Sequence, residues 1–184
     1  MLSTTGMWLA EHSEQTTIVS RDPSDFVNKI RNRGWFAKDI ACDYTNPHQR
    51  QNLLNATIQD NSPKQMPPEY KQGTLQSRYD LILAWLHQNP VPFLESLSLN
   101  CATRNARIIW VVGSGFDNPA KSPALPNIIS TQTLEIAVLG FQMKDGKSRW
   151  LSHDEISQGT ISAIKTQQHE KVIIGKTNPW FARP

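Results

Sequence analysis

The 184-residue sequence predicts an α+β fold, a helical N-terminal half packed on a small mixed β-sheet with one C-terminal helix. Two observations carry this. Helical start and stop signals and apolar stripes crowd residues 22–100. Short β-branched runs crowd residues 104–176, with one helical interruption. The domain expectation follows: a single domain over 1–184, with a helical part at about 22–100 and a sheet-containing part at about 104–176.

Element by element, Thr16-Thr17-Ile18-Val19 is a short strand, and the dozen residues before it show no clear period. Asp22-Pro23-Ser24-Asp25 starts a helix, because polar caps, an early proline and a carboxylate suit the positive helix end. Phe26, Val27 and Ile30 mark its buried face, and Gly34 stops it. Asn46-Pro47 opens a second helix by the same logic, with Leu53, Leu54, Thr57 and Ile58 inside. A turn-rich linker runs from Asp60 to Pro68. Leu75, Tyr79, Ile82, Leu83 and Leu86 fall on one helical stripe, which predicts a helix over Leu75 to His87, ended by Asn89-Pro90. Phe93 to Leu99 adds a helical turn or two.

Ile108-Ile109-Trp110-Val111-Val112 reads as a strand buried on both faces and ended by Gly113-Ser114-Gly115. A loop with three prolines runs from Phe116 to Pro126, and Ile128-Ile129 is a further strand candidate. From Thr133 to Gly175 the pattern is strand, tight turn, strand, helix, strand. Asp145-Gly146 is the hairpin dipeptide. Ser152 and Glu155 have capping-box spacing. Val172, Ile173 and Ile174 close the sheet.

Composition narrows the function classes. Residues 1–100 hold nine Lys and Arg against ten Asp and Glu, a net of −1, and residues 101–184 hold ten against six, a net of +4. The basic C-terminal half favours an anionic partner. Two cysteines, Cys42 and Cys101, belong to no CxxC or Cys/His cluster, and no apolar run reaches membrane-helix length. The expectation is a cytoplasmic protein with free thiols and no membrane contact.

Two groups set cations beside aromatic rings: Arg31, Arg33, Trp35 and Lys38, and the hairpin Lys144, Lys147, Arg149 and Trp150. Cations neutralise phosphates and flat rings stack on unpaired bases. These eight residues are the candidate nucleic-acid contacts, against the alternative of a solvated helix face and a lysine-guarded hairpin edge. Other constellations fall short. Cys42 and His48 are neighbours in sequence without an orienting partner. Gly113-Ser114-Gly115 lacks the third glycine and following helix of a phosphate loop. His153 and Asp154 suit a helix start, and the five histidines show no metal spacing.

The order strand, strand, strand, helix, strand over 106–175 resembles the core of the PD-(D/E)xK nuclease superfamily. That resemblance implies a divalent cation held by paired carboxylates. Here Glu135 is the one acidic residue inside a predicted strand, and Asp117 lies in a loop. Gln142-Met143-Lys144 offers an amide where the family has a carboxylate.

The function expected from these readings is a nucleic-acid-associated accessory protein, DNA- or RNA-binding, acting in a larger complex without catalysis, cofactor or metal. The alternatives are an interaction or scaffold subunit with a protein partner, docking through the Trp180-Phe181 tail, and a divergent nuclease.

Overall fold

The computed structural model describes residues 1–59, 79–87, 90–120, 123–166 and 171–184, the side chains of 55–59 excepted. Helices and strands alternate almost from the start: α1 (Ser3–Glu11), β1 (Thr16–Ser20), α2 (Ser24–Arg31), β2 (Ala37–Ala41), α3 (Pro47–Gln59), β3 (Tyr79–Trp85), α4 (Pro90–Cys101) and β4 (Ala102–Gly113). Then follow β5 (Thr133–Leu139), the hairpin β6 (Phe141–Lys144) and β7 (Lys147–Trp150), α5 (His153–Thr166) and β8 (Lys171–Ile174).

Strand order is β1-β2 in one sheet, β3-β4-β5-β8 in a second and β6-β7 in the hairpin. β1 and β2 pair in parallel from Thr16↔Ala37 to Ser20↔Ala41, and β5 and β8 from Ile136↔Lys171 to Leu139↔Ile174. The start of β3 meets the start of β4, where the Thr103 hydroxyl donates to Asp80 at 2.9 Å. The start of β5 meets that of β4 as well: the Gln132 amide donates to the Thr103 carbonyl at 3.0 Å and the Thr131 hydroxyl to the Arg104 carbonyl. Strands that begin at the same end, joined through helices, are the parallel βαβ arrangement.

This corrects the α+β expectation. Helices are interleaved with parallel strands, not segregated from them. The largest single error lies at the predicted helix Leu75–His87. Within its described part Tyr79–Trp85 is strand β3, and 75–78 lie outside the described residues. Leu81-Ile82-Leu83-Ala84-Trp85 is an unbroken apolar run, which fits a strand buried on both faces as well as a helical stripe. Strand β2 and helix α1 went unread, and Ile128-Ile129 is not strand. The linker Asp60–Pro68 lies outside the described residues.

The chain gathers into two compact units, Met1–Cys42 with Val111–Pro123 and Glu135–Pro184, and Asp43–Trp110 with Ala124–Leu134. In the first, Ala10, Val27, Ile30 and Ala37 form a core on which Met7, Ile18, Phe26 and Trp35 pack. Gly6 lets α1 come close: a Cβ there would stand 2.9 Å from the Phe26 ring. In the second unit, Ser98 on α4 donates its hydroxyl to Gln132 at 2.5 Å, and the Gln132 amide returns a bond to the Ser98 carbonyl at 3.1 Å. This buried exchange ties α4 to the lead-in of β5.

Local signals that held have visible causes. Asn46 caps α3 by accepting from the His48 and Gln49 N–H groups. Asp145 and Gly146 both take positive φ, 52° and 73°, as a two-residue hairpin turn requires. The Glu155 carboxylate accepts from the Ser152 N–H at 2.7 Å, and the Ser152 hydroxyl accepts from the Glu155 N–H at 3.2 Å, the reciprocal capping box.

Candidate functional site

The functional end of a parallel α/β sheet is the end where its strands finish, since loops there can diverge around a ligand. In the first unit, α1 packs on β1 and leads directly into it. The helix therefore runs down as the strand runs up, and the start of α1 and the finish of β1 share one end.

Two features meet the solvent at that end. The first is the opening of α1. Leu2 precedes it without a side-chain cap, and its first turn holds no acidic residue. Backbone N–H groups at such a terminus are ready donors to an anion, with the helix dipole adding to the attraction. The position is braced from inside: the buried Thr5 hydroxyl donates to the Ser157 carbonyl at 3.3 Å, and the Ser157 hydroxyl to the Met1 carbonyl at 3.2 Å. The second is Ser20-Arg21-Asp22, directly beyond β1. Arg21 is exposed and has no ion-pair partner among the described residues.

Beyond β4 in the same unit lies a third group. Asp117 accepts from Lys171 Nζ at 2.6 Å and from the buried Thr177 hydroxyl at 2.7 Å. These bonds hold the Asp117 carboxyl below its usual range, the Lys171 ammonium contributing most. Ser114 is buried beside it in sequence.

The eight residues expected to contact nucleic acid do not assemble into one surface of free cations. Arg31 points back into its own unit, donating to the Ala37 carbonyl and to Asp39, each at 2.9 Å. Arg33 lies over the Trp35 ring at 5.6 Å. Lys38 sits on β2 with an interaction of its own. Arg149 is clamped by both Glu155 oxygens at 2.8 Å. Lys144 and Lys147 face each other across the hairpin turn, and Trp150 shares the Arg183 guanidinium with Trp180, at 5.7 and 4.2 Å. The nuclease pattern fails as well. Glu135 is buried in β5, while Gln142 and Lys144 belong to a separate hairpin, so the residues of that pattern do not share one sheet. Among the described residues no group of three His, Cys, Asp or Glu is placed to hold a metal. Both cysteines are buried and outside any disulfide, and no described helix is long and apolar enough to cross a membrane.

Arg21 escaped the sequence reading because an arginine after a short strand carries no local signature. Its meaning depends on which helix lies against that strand.

No family model matches the chain, and no curated protein matches it in sequence. Solved structures do match in fold. A metagenomic short-chain oxidoreductase in complex with NADP superposes with a TM-score of 0.55 at 10% identity, over 94% of this chain and 90% of its own. An NADH-dependent reductase, A1-R′, complexed with NAD gives 0.59 at 10% identity, over 94% and 89%. The promiscuous reductase LugOII, which catalyses keto-reduction at C1 during lugdunomycin biosynthesis, gives 0.54 at 10% identity, over 94% and 90%. These likenesses overturn the expected accessory protein with a nucleic-acid or protein partner, together with the scaffold and nuclease alternatives. Two of these structures hold NADP or NAD, and the cations that suggested a polyanion surface are largely spent on local pairs. The chain has a Rossmann-like α/β fold, similar to that of these reductases.

Proposed function

We propose that the protein is a nicotinamide-dinucleotide-dependent oxidoreductase with a preference for the 2′-phosphorylated cofactor, working in the cytoplasm. The observation that carries this reading is Arg21, an exposed guanidinium immediately beyond the strand that follows the first helix. In doubly wound folds a residue at this place meets the adenosine ribose. A carboxylate there hydrogen-bonds a free 2′-hydroxyl, whereas an arginine accommodates a 2′-phosphate. A guanidinium suits phosphate because its planar fork donates two parallel charge-assisted bonds.

The uncapped start of α1 supports the same reading. Pyrophosphate is the anion that a first helix receives in this fold, and Leu2 to Thr4 offer N–H groups without a competing carboxylate. Gly6 serves the close packing of α1 on β1 and α2, a role glycine takes in dinucleotide-binding helices. The described chain carries no G-x-G-x-x-G run, so helix-terminal donors and Arg21 hold the phosphates in this reading. When bound, the dinucleotide supplies or accepts a hydride. The chain supplies phosphate anchoring and a neutral, buried Ser114 beyond β4.

The test compares cofactors across one substitution. NADPH and NADH binding are followed by nicotinamide fluorescence for the native chain and for Arg21→Glu. Losing a charge-assisted pair and gaining a repulsive one weakens NADPH binding by about tenfold or more, with NADH affected far less. Equal effects on both cofactors, or no binding of either, would refute the assignment.

A further inference from the structure

Beyond β8, in the first unit, the chain turns back onto the β6-β7 hairpin. Gly175 takes a φ of 86°, and Lys176 then pairs with Phe141, each backbone N–H donating to the other's carbonyl at 2.9 Å. Phe141 in turn sits opposite Trp150 at the base of the hairpin. Leu139 and Ile174, the last paired residues of β5 and β8, lie just before this junction. A 3-10 turn over Trp180–Ala182 follows, and the Arg183 N–H donates to the Trp180 carbonyl at 3.4 Å. Residues three apart eclipse in such a turn, so the Arg183 side chain falls over the Trp180 ring. Its Cζ stands 4.2 Å from that ring's centroid and 5.7 Å from the centroid of Trp150.

Two indoles therefore hold this guanidinium, and no acid does. Arg183 makes no ion pair and no side-chain hydrogen bond among the described residues, and its Nε is buried without an acceptor. A ring attracts a guanidinium through its face, which leaves the in-plane N–H groups to bond elsewhere. With Nε covered, that capacity rests on the two Nη groups. Residues 171–184 contain no Asp or Glu. The one hairpin acid, Asp145, lies at the turn, at the opposite end from Trp150, and Glu155 is already taken by Arg149. Apolar ring surface is also left in water: Trp150 is 48% exposed and Phe181 89%.

We propose that Arg183, Trp150 and Trp180 form a binding site for a small aromatic carboxylate. The two Nη groups donate a parallel pair of charge-assisted bonds to its two oxygens, a match that a single fork makes with a carboxylate. The flat body of the ligand lies on the exposed indole of Trp150. Both halves are needed, since a bare anion leaves the ring wet and an uncharged ring leaves the fork unpaired. The site stands just past the finishes of β5 and β8, the end at which a parallel α/β sheet takes its ligands. The inference stands independently of the dinucleotide reading, because the binding it describes needs no cofactor.

Proton–nitrogen spectra of the full chain test it. The indole signals are assigned by their loss in Trp150→Phe and Trp180→Phe. Benzoate is added, and in parallel benzamide (the ring without the charge), acetate (the charge without the ring) and inorganic phosphate. Benzoate shifts both indole signals saturably, and each of the other three binds about tenfold or more weakly. Arg183→Gln weakens benzoate binding by about tenfold or more, and Arg183→Lys, which keeps the charge and loses the fork, falls between. The signal of the buried Trp110 indole, unchanged across the variants, reports that each remains folded. The proposal is overturned if benzoate leaves both indoles still, if benzamide, acetate or phosphate binds as tightly as benzoate, or if folded Arg183→Gln binds benzoate as the native chain does.

Discussion

Gly159→Ala offers a sharp test of how the C-terminal helix seats on its sheet. Gly159 lies within α5, and a Cβ built on it would fall 2.2 Å from Ile174 Cγ2 and 3.1 Å from both Cγ1 and Cδ1. Carbon atoms pack best at about 3.5–4.0 Å, so the new methyl group is short of contact distance by about 1.3 Å at the first of these. Ile174 is buried on β8 and β-branched, so its Cγ2 cannot swing aside without leaving a preferred rotamer. At an exposed helical site Gly→Ala gains about 1 kcal/mol from backbone entropy. Here overpacking costs about 3 kcal/mol, the upper end of the usual range, because a 2.2 Å approach forces α5 or β8 to shift. A net loss of about 2 kcal/mol lowers the midpoint of thermal unfolding by about 4–8 °C in a chain of this size. Calorimetry or urea unfolding reads it. The double variant with Ile174→Ala separates the clash from general damage, because removing the obstructing atoms makes the two substitutions less costly together than their sum. A Gly159→Ala chain as stable as the native one, or additive behaviour in the double variant, would refute the reasoning.

Two further predictions concern pH. The Arg149 clamp, followed by the Ser152 N–H, lowers the Glu155 carboxyl to about 2. Its folded value lies below its unfolded one, so its contribution is complete above the ordinary carboxylate range and disappears as pH falls through about 2. Glu155→Gln is accordingly less stable than the native chain at pH 7, and the two converge in acid; a difference as large at pH 2 as at pH 7 would contradict this. Asp117 is likewise lowered, chiefly by Lys171 and then by Thr177. Asp117→Asn therefore destabilises at neutral pH and progressively less as the native carboxylate protonates. Urea midpoints at several pH values check this, and a pH-independent loss would contradict it.

How much could be read from sequence depended on how local the cause was. The Asp145-Gly146 turn, the Ser152 and Glu155 cap, the Asn46 cap with Pro47 behind it, and Gly34 at a φ of 83° are each set within a few residues. Such features were legible. The parallel pairing of β5 with β8 was not, because partners such as Leu139 and Ile174 lie 35 residues apart and only tertiary contact selects them. Ala37-Lys38-Asp39-Ile40-Ala41 has weak strand character of its own and is strand because β1 lies beside it. Helix α1 places two threonines, a serine and a glycine in its first four positions, so its apolar stripe is faint. The candidate site follows the same rule. Arg21 and the start of α1 are unremarkable in sequence and acquire meaning only when helix and strand are laid together. The Trp-flanked arginines were conspicuous, but Arg31 and Arg149 turned out to be occupied by Asp39 and Glu155.

The central claim is that phosphates of a nicotinamide dinucleotide meet the start of α1 and the finish of β1. Backbone amide spectra recorded while NADP⁺ is added test this most directly. The account predicts the largest shifts at Leu2 to Thr5 and Ser20 to Asp22. Shifts concentrated on the Lys144–Trp150 hairpin, or none at saturating NADP⁺, would contradict it.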